Sequence, residues 1–471
     1  MRVSFDIDNT NRKNIALLLR ERNIAVSLPC GGTGRCLGCK VKVMSDDESL
    51  NGTVLACKCI PKAAFTVELD SEEGMYIPAD EGQLPSKHVI GIAAIDLGTT
   101  TVTVSIIDEK SGETVESISF VNPERSFGAD LISRIKSSND GNLVEMSSRI
   151  RNSIKEFIDK YSVSRAVISG NTTMNHILNG ISCEDLGIAP FVTSIKDFIV
   201  SDLVCDETIC MPPVSAFIGG DIVSGIYALD MDKDSDINIL IDLGTNGELV
   251  IGNKDGFIAT STSAGPAFEG GELNSGVASI PGAISSVNII NGFARVKTIG
   301  NLPAIGVCGT GAIETVSELL KNHIIDANGT LSAEFIDEGY PLVMRSHADK
   351  LLFTQEDIRA VQMAKAAICS GIEIMTSLYG CDYNNIKNVY VAGGFGVTMD
   401  VTKATAIGLI PKELEAKIIP VGNSSLKGAK KFALNTDFDR IRDILNKIKE
   451  KNLASNESFE ARFIDNLNFK N

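Results

Sequence analysis

Two copies of one short polar sequence, Asp-Leu-Gly-Thr, stand 146 positions apart, at Asp96–Thr99 and at Asp242–Thr245. Gly98 and Gly244 let the backbone turn sharply and approach a ligand with no Cβ in the way. Thr99, Thr100, Thr245, Asn246 and Gly247 then offer backbone N–H and side-chain donors to phosphate oxygens. Asp96 and Asp242 accept but do not donate, which suits a hydrated Mg²⁺ rather than phosphate itself. Each copy sits between an apolar, β-branched run and an alternating one, IAAIDLGTTTVTVSII over Ile92–Ile107 and NILIDLGTNGELVIG over Asn238–Gly252. That pattern predicts a β-hairpin with a polar tip. A single Asp-Leu-Gly is also an ordinary strand-to-turn junction, but the duplication predicts two like subdomains facing one ligand.

A third turn completes the set. Asn388–Gly396, NVYVAGGFG, reads as a strand running into a glycine pair, with a helix expected after it to about Leu409. Gly393 and Gly394 leave room for a flat base or ribose, and the helix N-terminus favours anionic groups. The order DLGT, DLGT, AGG resembles the superfamily of acetate and sugar kinases, heat-shock ATPases and actin, over Val89 to about Ile410. The resemblance implies a duplicated actin-like (ribonuclease H-like) ATPase fold, with the Asp-Leu-Gly turns on the phosphates of ATP and the Gly-Gly turn on its adenosine. It also implies a connecting helix before the second hairpin whose N-terminal polar group reaches the γ-phosphate. Phe217–Asp230, FIGGDIVSGIYALD, lies at that place, so Asp221 is the candidate for orienting the attacking water or the metal. An aspartate at a helix start serves the helix dipole equally well.

Other small-residue turns carry two readings each. Gly306–Leu319, GVCGTGAIETVSEL, opens into an amphipathic helix. There Gly309, Thr310 and Gly311 either present N–H groups to nucleotide or close a helix–sheet contact. Ala166–Ile177, AVISGNTTMNHI, runs from strand to helix through Gly170, Asn171, Thr172 and Thr173, a turn that either lines the cleft or caps the helix. Val121–Ile135 reads as a loop and a helix start with Ser126 near the cap.

Five of the 11 cysteines fall within residues 30–59: Cys30, Cys36, Cys39, Cys57 and Cys59. Three on one short loop and a remote fourth is how a 2Fe–2S cluster is held, the plant-type spacing being C-x4-C-x2-C; here the first gap is one longer. The loop PCGGTGRCLGCK is glycine-rich and can wrap a cluster with N–H groups aimed at its sulfurs. The flanks predict strands at Arg2–Asp8, Val41–Met44 and Ala64–Leu69 and a helix at Arg12–Arg22. Over about the first 70 residues this resembles a plant-type or adrenodoxin-like ferredoxin, a β-grasp domain. In that family the last ligand follows Leu-Ala or Leu-Thr, matched by Leu55, Ala56 and Cys57, so Cys57 is preferred to Cys59. Four thiolates would also satisfy a structural zinc site, which is the rival reading. Cys183, Cys205, Cys210, Cys308, Cys369 and Cys381 read as small buried hydrophobes.

At 471 residues the chain has room for about three domains. A net charge of −16 argues against a general nucleic-acid or anionic-membrane binder. The N-terminus does not read as a signal peptide and no run of about 18 apolar residues occurs, so a cytoplasmic protein with reduced thiols is expected. The expected organisation is a ferredoxin-like domain over 1–70, a linker over 71–88 where charge, Pro and Gly accumulate, ATPase subdomains over 89–236 and 237–410, and a completing strand and helices over 411–471. A long helix over Leu352–Gly380, opened by Thr354 with Asp357 three residues on, suits burial between subdomains or a homodimer contact.

Taken whole, the chain resembles the reductive activators of corrinoid proteins. The resemblance rests on the cysteine loop, GAD-x-ISRI (Gly128–Ile135), SGNTTM (Ser169–Met174), DLGTNGE (Asp242–Glu248), GPAFEG (Gly265–Gly270) and TQ-x-DIR-x-x-Q-x-AK-x-A-I (Thr354–Ile368). It implies ATP-driven return of a Co(II) corrinoid protein of a methyltransferase system to Co(I), with an upstream low-potential electron donor, and cofactors ATP, Mg²⁺ and a 2Fe–2S cluster. Better-known members carry additional segments between cluster and ATPase. Three other functions stay open: an iron–sulfur electron donor to another acceptor such as a radical dehydratase, a kinase with a redox domain, and a nucleotide-gated binding module.

Overall fold

The computed structural model describes residues 2–6, 13–22, 39–45, 47, 50–68, 77–78, 90–244, 246–344, 346, 350–393 and 399–469. The chain divides into two compact units, Met1–Asp221 with Ala429–Thr436, and Ile222–Gly428 with Asp437–Asn471.

In the first unit, β1 (Arg2–Phe5), α1 (Ile15–Glu21), β2 (Lys40–Ser45), β3 (Gly52–Leu55) and β4 (Phe65–Glu68) make a four-stranded antiparallel sheet in the order β1-β4-β2-β3. Alternation sets its faces: Val41 and Val43 of β2 go inward while Lys40 and Lys42 point out. Ile15, Ala16 and Leu19 of α1 close over Phe5, Phe65 and Val67.

A seven-stranded sheet follows, made of β5 (Ile77–Pro78), β6 (Ile90–Leu97), β7 (Thr101–Asp108), β8 (Thr114–Val121), β9 (Ser162–Gly170), β10 (Ile199–Ser201) and β11 (Glu207–Cys210). Its order is β10-β11-β9-β6-β7-β8-β5. β6 and β7 form the first predicted hairpin, and β9 lies parallel to β6. A parallel return needs a crossover, which α2 (Leu131–Ser137) and α3 (Leu143–Ile158) supply. Met146, Ile150, Ile154 and Phe157 of α3 repeat at helical spacing and are buried. The helices α4 (Thr172–Asn179), α5 (Glu184–Gly187) and α6 (Gly220–Ala228) complete this part of the chain. Within the stretch expected to be a linker, Ile77–Pro78 instead pairs with the edge of β8.

In the second unit, β12 (Ile237–Leu243), β13 (Gly247–Asn253) and β14 (Gly256–Thr262) repeat the antiparallel meander. Beyond it come β15 (Ala283–Ile290), β16 (Phe293–Thr298), β17 (Gly306–Val307), α7 (Gly309–Lys321), β18 (Tyr340–Met344), β19 (Lys350–Phe353) and α8 (Gln355–Tyr379). The chain then runs through β20 (Ile386–Ala392), α9 (Val401–Ala406), β21 (Ile418–Gly422), α10 (Ser424–Asn435), α11 (Phe438–Lys447), β22 (Ile448–Glu450) and α12 (Phe459–Asp465). The main sheet has the order β21-β20-β12-β13-β14-β22, with β20 parallel to β12. Thus β9-β6-β7-β8 and β20-β12-β13-β14 are the same arrangement made twice.

Two predicted helix starts resolve differently. Thr354 and Asp357 form a reciprocal capping box on α8, as their spacing predicts. Ser126, expected near a cap, lies instead in a 3₁₀ turn, and α2 is capped by Asp130, whose side chain accepts from Ser133 N. Among the described residues, no helix is long and apolar enough to cross a membrane.

Candidate functional site

The first turn is closed by Gly98 N donating to Thr101 O at 3.1 Å. A Cβ on Gly98 would lie 2.7 Å from that oxygen, so only glycine fits here. Two asparagines hold the turn from behind. Asn122, fully buried, donates through Nδ2 to Gly98 O (2.7 Å) and through its backbone N to Thr100 O (2.9 Å). Asn171, the residue that caps α4, donates through Nδ2 to Thr99 Oγ1 at 3.1 Å. Gly219 packs against Asn171, its missing Cβ lying 2.5 Å from Asn171 Cα and 2.8 Å from Asp221 Oδ1. Asp221, in the first turn of α6, thus lies beside the Gly219–Asn171 contact. Asp96, the residue before the last of β6, is half-buried opposite Ser169 of β9.

Asn122 escaped the sequence reading. Its only local signal is the Asn-Pro step at Asn122–Pro123, a turn and cap signature, and here it caps the 3₁₀ turn Pro123–Ser126 through Glu124 N. Glu124 is fully buried, and neither carboxylate oxygen has a hydrogen-bond partner. Burial pushes its pKa up to about 7 against the pull of Arg134 and Arg149. Arg134, likewise buried, donates to Gly128 O (3.0 Å) and reaches Met174 Sδ (3.2 Å).

In the second turn Gly244 N donates to Asn246 O at 3.0 Å, and the Glu269 carboxylate approaches Gly244. Asp242, the residue before the last of β12, lies opposite Glu248. Gly393 follows β20 at φ +106°, and a Cβ there would lie 2.5 Å from Leu243 O, so Gly393 packs directly onto the end of β12. Gly247 is buried in β13 against Ile368 of α8. Gly309 and Gly311 are explained by close packing: added Cβ atoms would fall 1.8 Å from Phe268 O and 2.1 Å from Ile284 O. Thr310 between them is buried. The other positions proposed for these turns, Thr245 and Gly394, lie outside the described residues.

Of the clustered cysteines, Cys39 and Cys57 are buried with their sulfurs 3.2 Å apart. The strand and turn carrying them are tied together by Ala56 N to Cys39 O (2.8 Å), and Asn14, beside the start of α1, holds Cys57 O (2.9 Å). Cys59 packs at the edge of the N-terminal core, where burial pushes its thiol pKa up. Two sulfurs this close are the start of a thiolate ligand set, and their surroundings are apolar. Cys30 and Cys36 lie outside the described residues, and among the described ones no three metal-ligating side chains converge. Cys183, Cys210, Cys308 and Cys369 are buried singly, while Cys205 and Cys381 are half-buried.

A doubled meander with paired Asp-Leu-Gly-Thr turns and a glycine turn on the neighbouring parallel strand is the architecture of the actin-like ATPases. The family model described as the C-terminal domain of RACo, the ASKHA domain, matches residues 236–471, and that of the RACo middle region matches 90–234. The chain is 30% identical over 434 residues to the corrinoid activation enzyme RamQ of Eubacterium limosum, covering 84% of this chain and 72% of that protein. It is 24% identical over 427 residues to the Co(II) methylated amine-specific corrinoid protein reductase of Methanosarcina barkeri, covering 80% and 76%. A solved structure described as a reductive activator for corrinoid, iron-sulfur protein superposes with a TM-score of 0.74 at 25% identity, over 99% of this chain and 96% of that one. The chain belongs to the RACo family of reductive activators of corrinoid proteins, a mixed α/β protein with a C-terminal ASKHA domain.

Proposed function

We propose that this protein hydrolyses ATP to drive one electron onto the cobalt of a partner corrinoid protein. Co(II) gains one electron and becomes Co(I), ready to accept a methyl group, and ATP and water become ADP and phosphate. The electron originates in an upstream low-potential donor protein. Cys30, Cys36, Cys39 and Cys57 are the residues that would hold a 2Fe–2S cluster on a ferredoxin-like N-terminal domain. When bound, such a cluster supplies one-electron transfer at around −400 mV, the plant-type value. Because Co(II) reduction is harder than that, hydrolysis has to change the affinity of donor for acceptor between oxidation states, a linkage between two equilibria.

On the nucleotide side, Asp96 and Asp242 would hold Mg²⁺, which when bound neutralises charge on the phosphates. Gly98, Thr99, Thr100, Gly244, Thr245, Asn246 and Gly247 would line the phosphates. Gly393 and Gly394 would face the adenosine, while the close packing of Gly309 and Gly311 favours the helix–sheet contact over the nucleotide reading for the Gly309–Gly311 turn. Asp221 would orient the attacking water. Positioning and electrostatics are all that such a reaction asks of the protein.

The observation that carries the reading is the coexistence, on one chain of this family, of two Gly-Thr hairpin turns with a buried cysteine pair, Cys39 and Cys57, whose sulfurs lie 3.2 Å apart. The test is an anaerobic absorption and EPR spectrum before and after dithionite, followed by ATP-dependent conversion of a Co(II) corrinoid protein to Co(I). A spin-half signal on reduction and ATP-dependent Co(I) formation are expected. A colourless, zinc-containing protein sinks the redox mechanism.

A further inference from the structure

We propose that Asn171 is a positioning residue that commits the Thr99 hydroxyl to donating its hydrogen to a nucleotide phosphate; this rests on the reading that the Gly98–Thr100 turn holds phosphate. Asn171 does two things at once. Its Oδ1 accepts from Met174 N at 2.9 Å, which caps α4 and fixes which way the amide faces. Its Nδ2, necessarily turned the other way, donates to Thr99 Oγ1 at 3.1 Å. An amide nitrogen cannot accept, so in this bond the hydroxyl is the acceptor and its single hydrogen must point elsewhere. A hydroxyl that would otherwise rotate freely is therefore set as a donor before the nucleotide arrives.

Three further contacts keep Asn171 from shifting. Gly170, the residue before it, packs so closely on Leu97 of the same hairpin that a Cβ would lie 2.6 Å from Leu97 O. Gly219 closes on Asn171 Cα from the other side. Thr172 Oγ1 donates to Ser215 O at 2.6 Å. Preorganised donors aimed at developing charge lower a barrier without reorganising during the reaction, so the effect belongs in kcat more than in KM.

Helix capping alone predicts unchanged kinetics in variants that keep the cap, and this separates the two roles. Asn, Asp and Ser cap helices about equally well. N171D keeps the cap but accepts from Thr99, drawing its hydrogen away; N171S keeps the cap and loses the amide donor. Thermal unfolding and steady-state ATP hydrolysis would be measured for N171D, N171S, T99A and the double variants. The expected result is unchanged unfolding temperature with kcat/KM for ATP down on the order of 10- to 100-fold in both single variants, mainly in kcat. Adding either substitution to T99A should cost nothing more, which excludes simple charge repulsion by the carboxylate that N171D introduces. Wild-type kinetics in N171S, or losses that persist in the T99A background, overturn the inference while T99A alone still tests the turn. A T99A protein with wild-type hydrolysis overturns both the inference and the phosphate reading of the turn.

Discussion

At the scale of single residues, burial decides more than identity does. Cys57 and Cys59 are separated by a single residue, yet Cys57 faces Cys39 and Cys59 does not. Replacing Cys57 by Ser should abolish the visible absorption of the reconstituted protein, whereas Cys59→Ser should retain it; a bleached Cys59→Ser protein would reverse the assignment. The Leu-Ala-Cys context pointed to Cys57 because it sits in a contiguous stretch of sequence. Asn122 carried no such signal, because its partner Gly98 lies 24 positions away. Glu124 gives a pH prediction. Its pKa is raised to about 7 in the folded chain, so the native state holds its proton where the unfolded chain has lost it. Stability from this group is full below about pH 4.5 and falls as pH rises to 7. Glu124→Gln should therefore gain on the wild type by on the order of 2 kcal/mol between pH 5 and 8, read from urea unfolding at each pH. A constant difference across that range would refute it.

At the scale of elements, α8 shows what periodicity reveals and what it hides. The Thr354–Asp357 box was legible because both partners lie within one turn. The same carboxylate also accepts from Asn274 N (2.6 Å), a partner no local pattern indicates. Farther along, Gln355 and Gln362 hold Gly329 O, Asn328 O and Leu467 O, and Lys365 holds Asn468 O (2.6 Å) over the Phe469 ring. Thus the conspicuous TQ-x-DIR-x-x-Q-x-AK run ties loops to a helix. Asp357→Ala should cost about 1–2 kcal/mol in chemical denaturation. Gly309 reverses a familiar sign. Glycine to alanine within a helix ordinarily gains about 0.5–1 kcal/mol. Here the new methyl group would meet Phe268 O, so Gly309→Ala should instead lose about 2–3 kcal/mol, read from the shift in denaturation midpoint.

At the scale of the whole molecule, the two hairpins were readable because strand alternation, a glycine turn and repetition are all local. The order of strands was not, since β9 and β20 join their sheets only through crossovers of many residues. Function is likewise distributed. Asp242→Ala should abolish ATP-dependent Co(I) formation with the cluster spectrum intact, measured by absorbance on one sample; loss of colour as well would make Asp242 a structural residue.

The matching glycines that press on the two hairpins, Gly170 on Leu97 O and Gly393 on Leu243 O, have a further meaning. They occupy equivalent places in the repeated arrangement, at the ends of β9 and β20, each parallel to the first strand of a hairpin. In sequence the residue after each glycine differs: Asn171 carries an amide that reaches Thr99 of its own hairpin, and Gly394 carries no side chain. A repeated backbone is thus furnished with unlike side chains at matching positions, so the two hairpins need not be interchangeable.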